Sequence, residues 1–148
     1  MSVIAAVDDL FFGVRIRETA RHVGVTAEVV PSAQVEEAVQ NRLERGGVEA
    51  VILDLGAASA VDRVRALKAN PGTRQVPVIG FVSHVATEVI AAAREAGCDQ
   101  VLARSAFTQQ LGEILRRLAL GAPAAAGQRI APGDGAEGSP ARRRPERA

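Results

Sequence analysis

Three aspartates stand directly after aliphatic runs that read as buried strands: Asp8 and Asp9 after Val3–Val7, and Asp54 after Ala50–Leu53. The core does not need these carboxylates, and acidic groups that converge repel one another and attract a cation. Oxygen ligands without His or Cys suit a hard ion such as Mg²⁺, which commonly takes one or two carboxylates with waters and phosphate oxygens. A carboxylate beside such an ion can act as a nucleophile toward a phosphoryl group. The spacing therefore predicts phosphoryl chemistry at Asp54.

Two further side chains follow the remaining apolar runs. Ser83 comes after Val76–Val82, and Arg104 comes after Gln100–Ala103. A hydroxyl and a cation are the groups that would hold the other oxygens of a transferring phosphoryl group. Both residues are therefore predicted to lie near Asp54, provided that the strands end at one edge of a sheet.

The elements that must position these residues alternate regularly along the chain. Five apolar runs with β character are separated by segments with helical spacing: Val3–Val7, Val25–Val30, Ala50–Leu53, Val76–Val82 and Gln100–Ala103. Continuous aliphatic runs are typical of parallel strands that are buried on both faces. Right-handed crossovers leave few topologies. We therefore predict a flavodoxin-like (βα)5 α/β fold, a doubly wound parallel sheet in the order 2-1-3-4-5, with ligands at the carboxyl ends of its strands.

Two serines are predicted to begin helices. Ser32 is the expected N-cap of the second helix, and Ser59, with Asp62 three residues later, resembles a capping box for the third. Asn70-Pro71-Gly72 is a strong stop signal for the third helix.

The chain as a whole reads as one domain with a tail. It has 148 residues and a formal net charge of +1, which does not indicate a membrane or nucleic-acid partner. Residues 1–120 are predicted to form the domain, and residues 121–148, rich in Gly, Pro and Ala with an Arg cluster, a disordered tail. Cys98 is the only cysteine, the start of the chain lacks a basic segment, and no apolar run approaches ~20 residues, so a cytoplasmic location is expected.

Several enzyme classes lack their motifs in this sequence. There is no G-x-x-x-x-G-K-[ST] loop for nucleotide phosphates, and no G-x-G-x-x-G follows the first strand. Phosphatases of the haloacid dehalogenase type need an acid two residues after the nucleophile, and cobalamin-binding modules need a His there. Gly56 occupies that position after Asp54, which excludes both.

Four segments together resemble the response-regulator receiver domain of two-component signalling. They read "VIAAVDD", "AVILDLG", "VPVIGFVS" and "AGCDQVLARSAF", and the resemblance covers roughly residues 2–119. It implies a signalling protein rather than an enzyme, with Asp54 as phosphoacceptor. It further implies a role for each of the remaining site residues: Asp8, Asp9 and the Gly56 carbonyl would hold Mg²⁺ with Asp54, Ser83 would bind phosphate, and Arg104 stands where the family has a lysine.

The resemblance implies a stand-alone protein of a phosphorelay. A histidine kinase or phosphotransfer protein would donate phosphate, and output would be contact with a downstream protein, most plausibly through the face of the fourth helix, fifth strand and fifth helix. The alternative is a pseudo-receiver, a phosphorylation-independent interaction module. Three departures favour it: Arg104 replaces the lysine, Val101 replaces an aromatic residue, and the loop after Asp54 is short. The retained acidic residues and Ser83 favour the phosphorelay protein. Arg104 is larger than lysine and planar, and it could pair with Asp54 or Asp9 instead of binding phosphate.

Overall fold

The computed structural model describes residues 2–83 and 86–120. The tail predicted over residues 121–148 lies outside this range. The strands are β1 Ser2–Ala6, β2 Thr26–Val30, β3 Ala50–Asp54, β4 Val78–Val82 and β5 Gln100–Ala103. The helices are α1 Leu10–His22, α2 Val35–Arg45, α3 Ala60–Ala69, α4 Thr87–Ala96 and α5 Arg104–Ala119, and a 3₁₀ turn spans Ser32–Gln34.

The five strands form one parallel sheet in the order β2-β1-β3-β4-β5, which confirms the predicted fold class and topology. Strands β1 and β4 are buried at every position, as strands covered on both faces should be. All five strands point the same way, so their carboxyl ends meet at one edge.

The core divides into two layers because side chains alternate across the sheet. Helices α1 and α5 cover one face, and their apolar side chains pack with Ile52 and Phe81. Helices α2, α3 and α4 cover the other face, where they pack with Leu53 and Val82. Alternation from Ile52 assigns Asp54 to the α1/α5 face.

The two capping predictions were wrong in their contacts. The residue before α2 is Gln34, because Ser32 enters the 3₁₀ turn and directs its hydroxyl to the Ala6 carbonyl at 3.4 Å. Ser59 does precede α3, but it is left-handed, with φ of 62°, and its side chain makes no cap hydrogen bond. A serine cap normally has extended backbone, which aims its oxygen at the first free N–H groups of the helix.

Candidate functional site

The sheet register brings predicted site residues to one level just beyond the carboxyl edge. Neighbouring strands are aligned there through three pairs: Ala6 with Leu53, Asp54 with Phe81, and Val82 with Ala103. Counting on from these pairs gives one row of four residues: Asp9, Gly56, Ser83 and Arg104. Asp54 lies two positions before this row, and Asp8 lies one.

Asp54 is the last residue of β3 and is half-buried, whereas the four residues before it are buried. Its Oδ1 accepts a hydrogen bond from the Gly56 N–H at 2.9 Å, and its carbonyl accepts one from the Ala57 N–H at 3.2 Å. A Cβ on Gly56 would lie 3.2 Å from that same Oδ1, so the absence of a side chain suits this close turn. One carboxylate oxygen thus shapes the turn that leaves the sheet.

Asp8 and Asp9 are exposed neighbours that serve different segments. The Oδ1 of Asp8 accepts a hydrogen bond from the Ser32 N–H at 3.0 Å, which ties it to the turn before α2. The Oδ1 of Asp9 accepts one from the Phe12 N–H at 3.1 Å, so Asp9 is the N-cap of α1. Both carboxylates therefore have a structural role: Asp9 caps α1, and Asp8 holds the turn before α2.

Arg104 begins α5 and reaches across the face of the sheet to Asp9. Its Nη2 lies 3.2 Å from Asp9 Oδ2, and its side chain is 33% exposed. The pKa of Asp9 is lowered from its ordinary value, first by the hydrogen bond from the Phe12 N–H and then by the Arg104 guanidinium. The two pairings anticipated for Arg104 were with Asp54 or with Asp9, and the structure has the second.

Ser83 is exposed and directly follows β4. The register places it level with Arg104, one residue past the pair of Val82 with Ala103. Val101, which the sequence resemblance aligned with an aromatic position of receiver domains, is buried and packs in the layer of α2, α3 and α4.

The carboxylates at the carboxyl edge suit a divalent ion by type, but protein groups already bind the oxygens of Asp9. Among residues 2–83 and 86–120, no group of three or more His, Cys, Asp and Glu side chains is placed to hold a metal. Asp9 already accepts from the Phe12 N–H and from Arg104. An ion bound to the Oδ2 of Asp9 would require the guanidinium to leave that oxygen.

The phenylalanines near this edge differ in burial, and three of them form a cluster. The adjacent residues Phe11 and Phe12 differ in exposure: Phe12 is buried beneath Arg104, whereas Phe11 is 89% exposed. Phe12, Phe81 and Phe107 form an aromatic cluster with ring centroids 5.0–5.9 Å apart. Four phenylalanines in a chain without Trp or Tyr were a compositional signal, but their proximity depends on three different elements.

The only lysine of the chain is remote from this edge. Lys68 Nζ bonds to Asp99 Oδ2 at 2.8 Å and to the Val76 carbonyl at 2.9 Å, next to the amino ends of β4 and β5. It therefore lies away from the carboxyl edge, where Arg104 is the cation that pairs with Asp9. Within the described part of the chain, no helix is long and apolar enough to cross a membrane.

Comparisons by sequence and by structure gave different outcomes. No family model and no curated protein matches the sequence. A response regulator in red light signaling of R. palustris matches the structure with a TM-score of 0.64 and 20% identity, over 85% of this chain and 96% of that one. The Mn²⁺-bound form of response regulator Rcp1 matches with a TM-score of 0.60 and 15% identity, over 78% and 88% of the two chains.

A third solved structure is an atypical orphan response regulator, described as having a phosphorylation-independent regulatory mechanism. It matches with a TM-score of 0.60 and 19% identity, over 79% of this chain and 96% of that one. At these identities, the structural matches show the fold alone. The chain has the receiver-domain fold of response regulators.

Proposed function

We propose that this protein is a receiver-type signalling protein that accepts a phosphoryl group on Asp54 and acts by protein contact. The observation that supports this most is the position of Asp54. It is a half-buried carboxylate at the end of a buried central strand, at the edge of the sheet where Asp8, Asp9 and Ser83 also lie. Ligand sites of open parallel sheets lie beyond this edge, where the strand order reverses.

The proposed reaction is a transfer from phosphohistidine of a histidine kinase or phosphotransfer protein. An oxygen of Asp54 attacks phosphorus, an O–P bond forms and the P–N bond breaks. The imidazole nitrogen keeps the electron pair and takes up a proton. Ser83 and Arg104 would hold the phosphoryl oxygens. A divalent ion, Mg²⁺ by this proposal, would supply charge neutralisation from a place beside Asp8, Asp9, Asp54 and the Gly56 carbonyl.

An exposed apolar surface lies next to the proposed site and suits contact with a protein donor. It consists of the first residues of α1, and we call it the apolar rim: Leu10 is 82% exposed, Phe11 89% and Val14 49%. Large apolar side chains that are exposed together commonly mark a protein interface. Asp9 directly precedes the rim, so a partner that covers Phe11 would also lie over the carboxyl edge of the sheet.

The test is phosphorylation with a small donor. The full chain is incubated with acetyl phosphate and Mg²⁺, and intact mass is measured for a gain of one phosphoryl group that survives acid and is lost in base. Asp54→Asn is the matched control, since it preserves size and the acceptor for the Gly56 N–H. We expect the adduct in the wild type alone. An unmodified wild type, or equal labelling of Asp54→Asn, would contradict the assignment.

A second candidate function is a pseudo-receiver that binds a partner without phosphorylation. The observation that favours it is the ion pair between Arg104 and Asp9, which occupies a carboxylate that the phosphoryl chemistry would need. In that case the wild type takes up no phosphoryl group, and beryllofluoride with Mg²⁺ leaves the amide NMR signals around Asp54 and Ser83 unmoved. Shifts at both residues would reject the pseudo-receiver.

A further inference from the structure

The guanidinium of Arg104 is held on two sides. On one side is Asp9, at 3.2 Å between Nη2 and Oδ2. On the other side is the ring of Phe12, whose centroid lies 4.3 Å from the Arg104 Cζ, with the Phe81 centroid at 6.0 Å. A guanidinium over an aromatic face is attracted by the ring quadrupole, and Arg makes such contacts more often than Lys.

The aromatic support beneath Arg104 is part of the rigid core. Phe81 and Phe107 are fully buried and stack with 16° between their planes, and Phe12 meets Phe81 edge-on at 5.0 Å. The backbone of Arg104 is fixed as well, because the Thr108 hydroxyl donates to its carbonyl at 2.8 Å. The side chain therefore lies on a surface of buried rings, and its contact with Phe12 restricts the guanidinium near Asp9.

The positive charge of Arg104 and its position on Asp9 both oppose the binding of a divalent ion to this carboxylate. Each oxygen of Asp9 already has a donor, the Phe12 N–H for Oδ1 and the guanidinium for Oδ2. An ion that binds Oδ2 must displace Arg104 from it and must then tolerate a permanent positive charge nearby. This is the point at which the chain departs from the metal site that its fold implies.

We infer that Arg104 is the resident cation of this carboxyl edge and competes with divalent ions for Asp9. The protein then binds divalent ions weakly because of Arg104, and removal of its charge strengthens their binding. The inference rests on the proposed function only for the location of the ion beside Asp9, and it requires no phosphoryl transfer.

The experiment measures Mn²⁺ binding to the full-length protein. Free Mn²⁺ is quantified by electron paramagnetic resonance in titrations of the wild type and of Arg104→Gln, which keeps an aliphatic stem over Phe12 and removes the charge. We expect the dissociation constant to fall about tenfold or more, which corresponds to about 1.4 kcal/mol. Arg104→Lys keeps the charge but loses the planar fork, so its dissociation constant should fall less than that of Arg104→Gln.

Two controls make the result specific. Arg65→Gln changes the net charge equally, but Arg65 lies on α3, is 55% exposed and pairs with Asp62. It should change the dissociation constant by less than about twofold, because exposed distant charges are screened. Adding Asp9→Asn to Arg104→Gln should abolish the gain.

Three results would overturn the inference: equal affinity of the wild type and Arg104→Gln, an equal gain from Arg65→Gln, or a gain that persists without the Asp9 charge. Thermal unfolding of each variant checks that the fold is retained, and Arg104→Lys gives an independent reading if Arg104→Gln unfolds. A missing acetyl phosphate adduct together with tighter Mn²⁺ binding by Arg104→Gln would reject the phosphoacceptor role alone. An adduct on Asp54 with no change in Mn²⁺ affinity would reject only the inference that Arg104 competes with divalent ions for Asp9.

Discussion

Replacement of Lys68 should destabilise the protein without affecting the chemistry of the carboxyl edge. Lys68 Nζ makes three hydrogen bonds, to the Arg74 carbonyl at 3.1 Å, the Val76 carbonyl at 2.9 Å and Asp99 Oδ2 at 2.8 Å. Its side chain is only 17% exposed. Asp99 in turn accepts from the Val78 N–H at 2.8 Å, so one lysine links α3 to the starts of β4 and β5.

The magnitude follows from these contacts. Hydrogen bonds to a charged group contribute about 1.5–3 kcal/mol each when buried. Asp99 is 39% exposed, so solvent screening reduces the ion pair to about 1 kcal/mol or less. The two carbonyls regain water in the variant, which lowers their share further. We expect Lys68→Met to reduce the free energy of unfolding by about 2 kcal/mol.

Methionine is the appropriate replacement because the aliphatic stem of Lys68 also packs. A Cβ added to Gly97 would meet Lys68 Cγ at 2.9 Å, so this stem lies directly over the glycine that ends α4. Methionine keeps an unbranched stem and removes only the ammonium group.

Urea unfolding at neutral pH measures the effect, with an unchanged slope taken as the sign of an intact two-state transition. Asp99→Asn and the double variant complete a cycle, whose coupling energy should be about 0.5–1 kcal/mol. A loss below about 0.5 kcal/mol for Lys68→Met would refute the assignment of Lys68 as a structural link. Reduced acetyl phosphate labelling in a folded Lys68→Met protein would refute its separation from the candidate site.

Two further predictions concern buried positions. Burial raises the pKa of the Cys98 thiol from 9.0 to about 11. The folded state therefore keeps the proton that the unfolded state loses above pH 9, and the free energy of unfolding decreases as pH rises from 9 toward 11. The free energy of unfolding should fall by about 2–3 kcal/mol over that interval, and a Cys98→Ala variant should lack this part of the slope. A Cβ at Gly80 would lie 2.6 Å from Leu55 Cδ1, so Gly80→Ala should cost about 1–3 kcal/mol in urea unfolding and less in a Leu55→Ala background. Equal costs in the two backgrounds would show that this contact is not the cause.

Much of the fold was predictable because its signals are local. Each aliphatic run is followed by a helical segment, and alternating β and α elements permit few arrangements other than a parallel sheet. The strands start and end within two residues of their predicted limits. The capping serines were harder, because Ser32 and Ser59 have backbones determined by the turns before them, and a side-chain type does not encode that geometry.

The sequence alone determined that Asp8, Asp9, Asp54, Ser83 and Arg104 come at the ends of strands, because the apolar runs stop there. The tertiary structure decided which of these groups meet. Arg104 is 95 residues from Asp9 along the chain, yet it pairs with that carboxylate across an aromatic surface built from α1, β4 and α5. Contacts of this kind depend on how distant elements pack and on how far and in which direction a side chain extends. The periodicity of a sequence encodes neither.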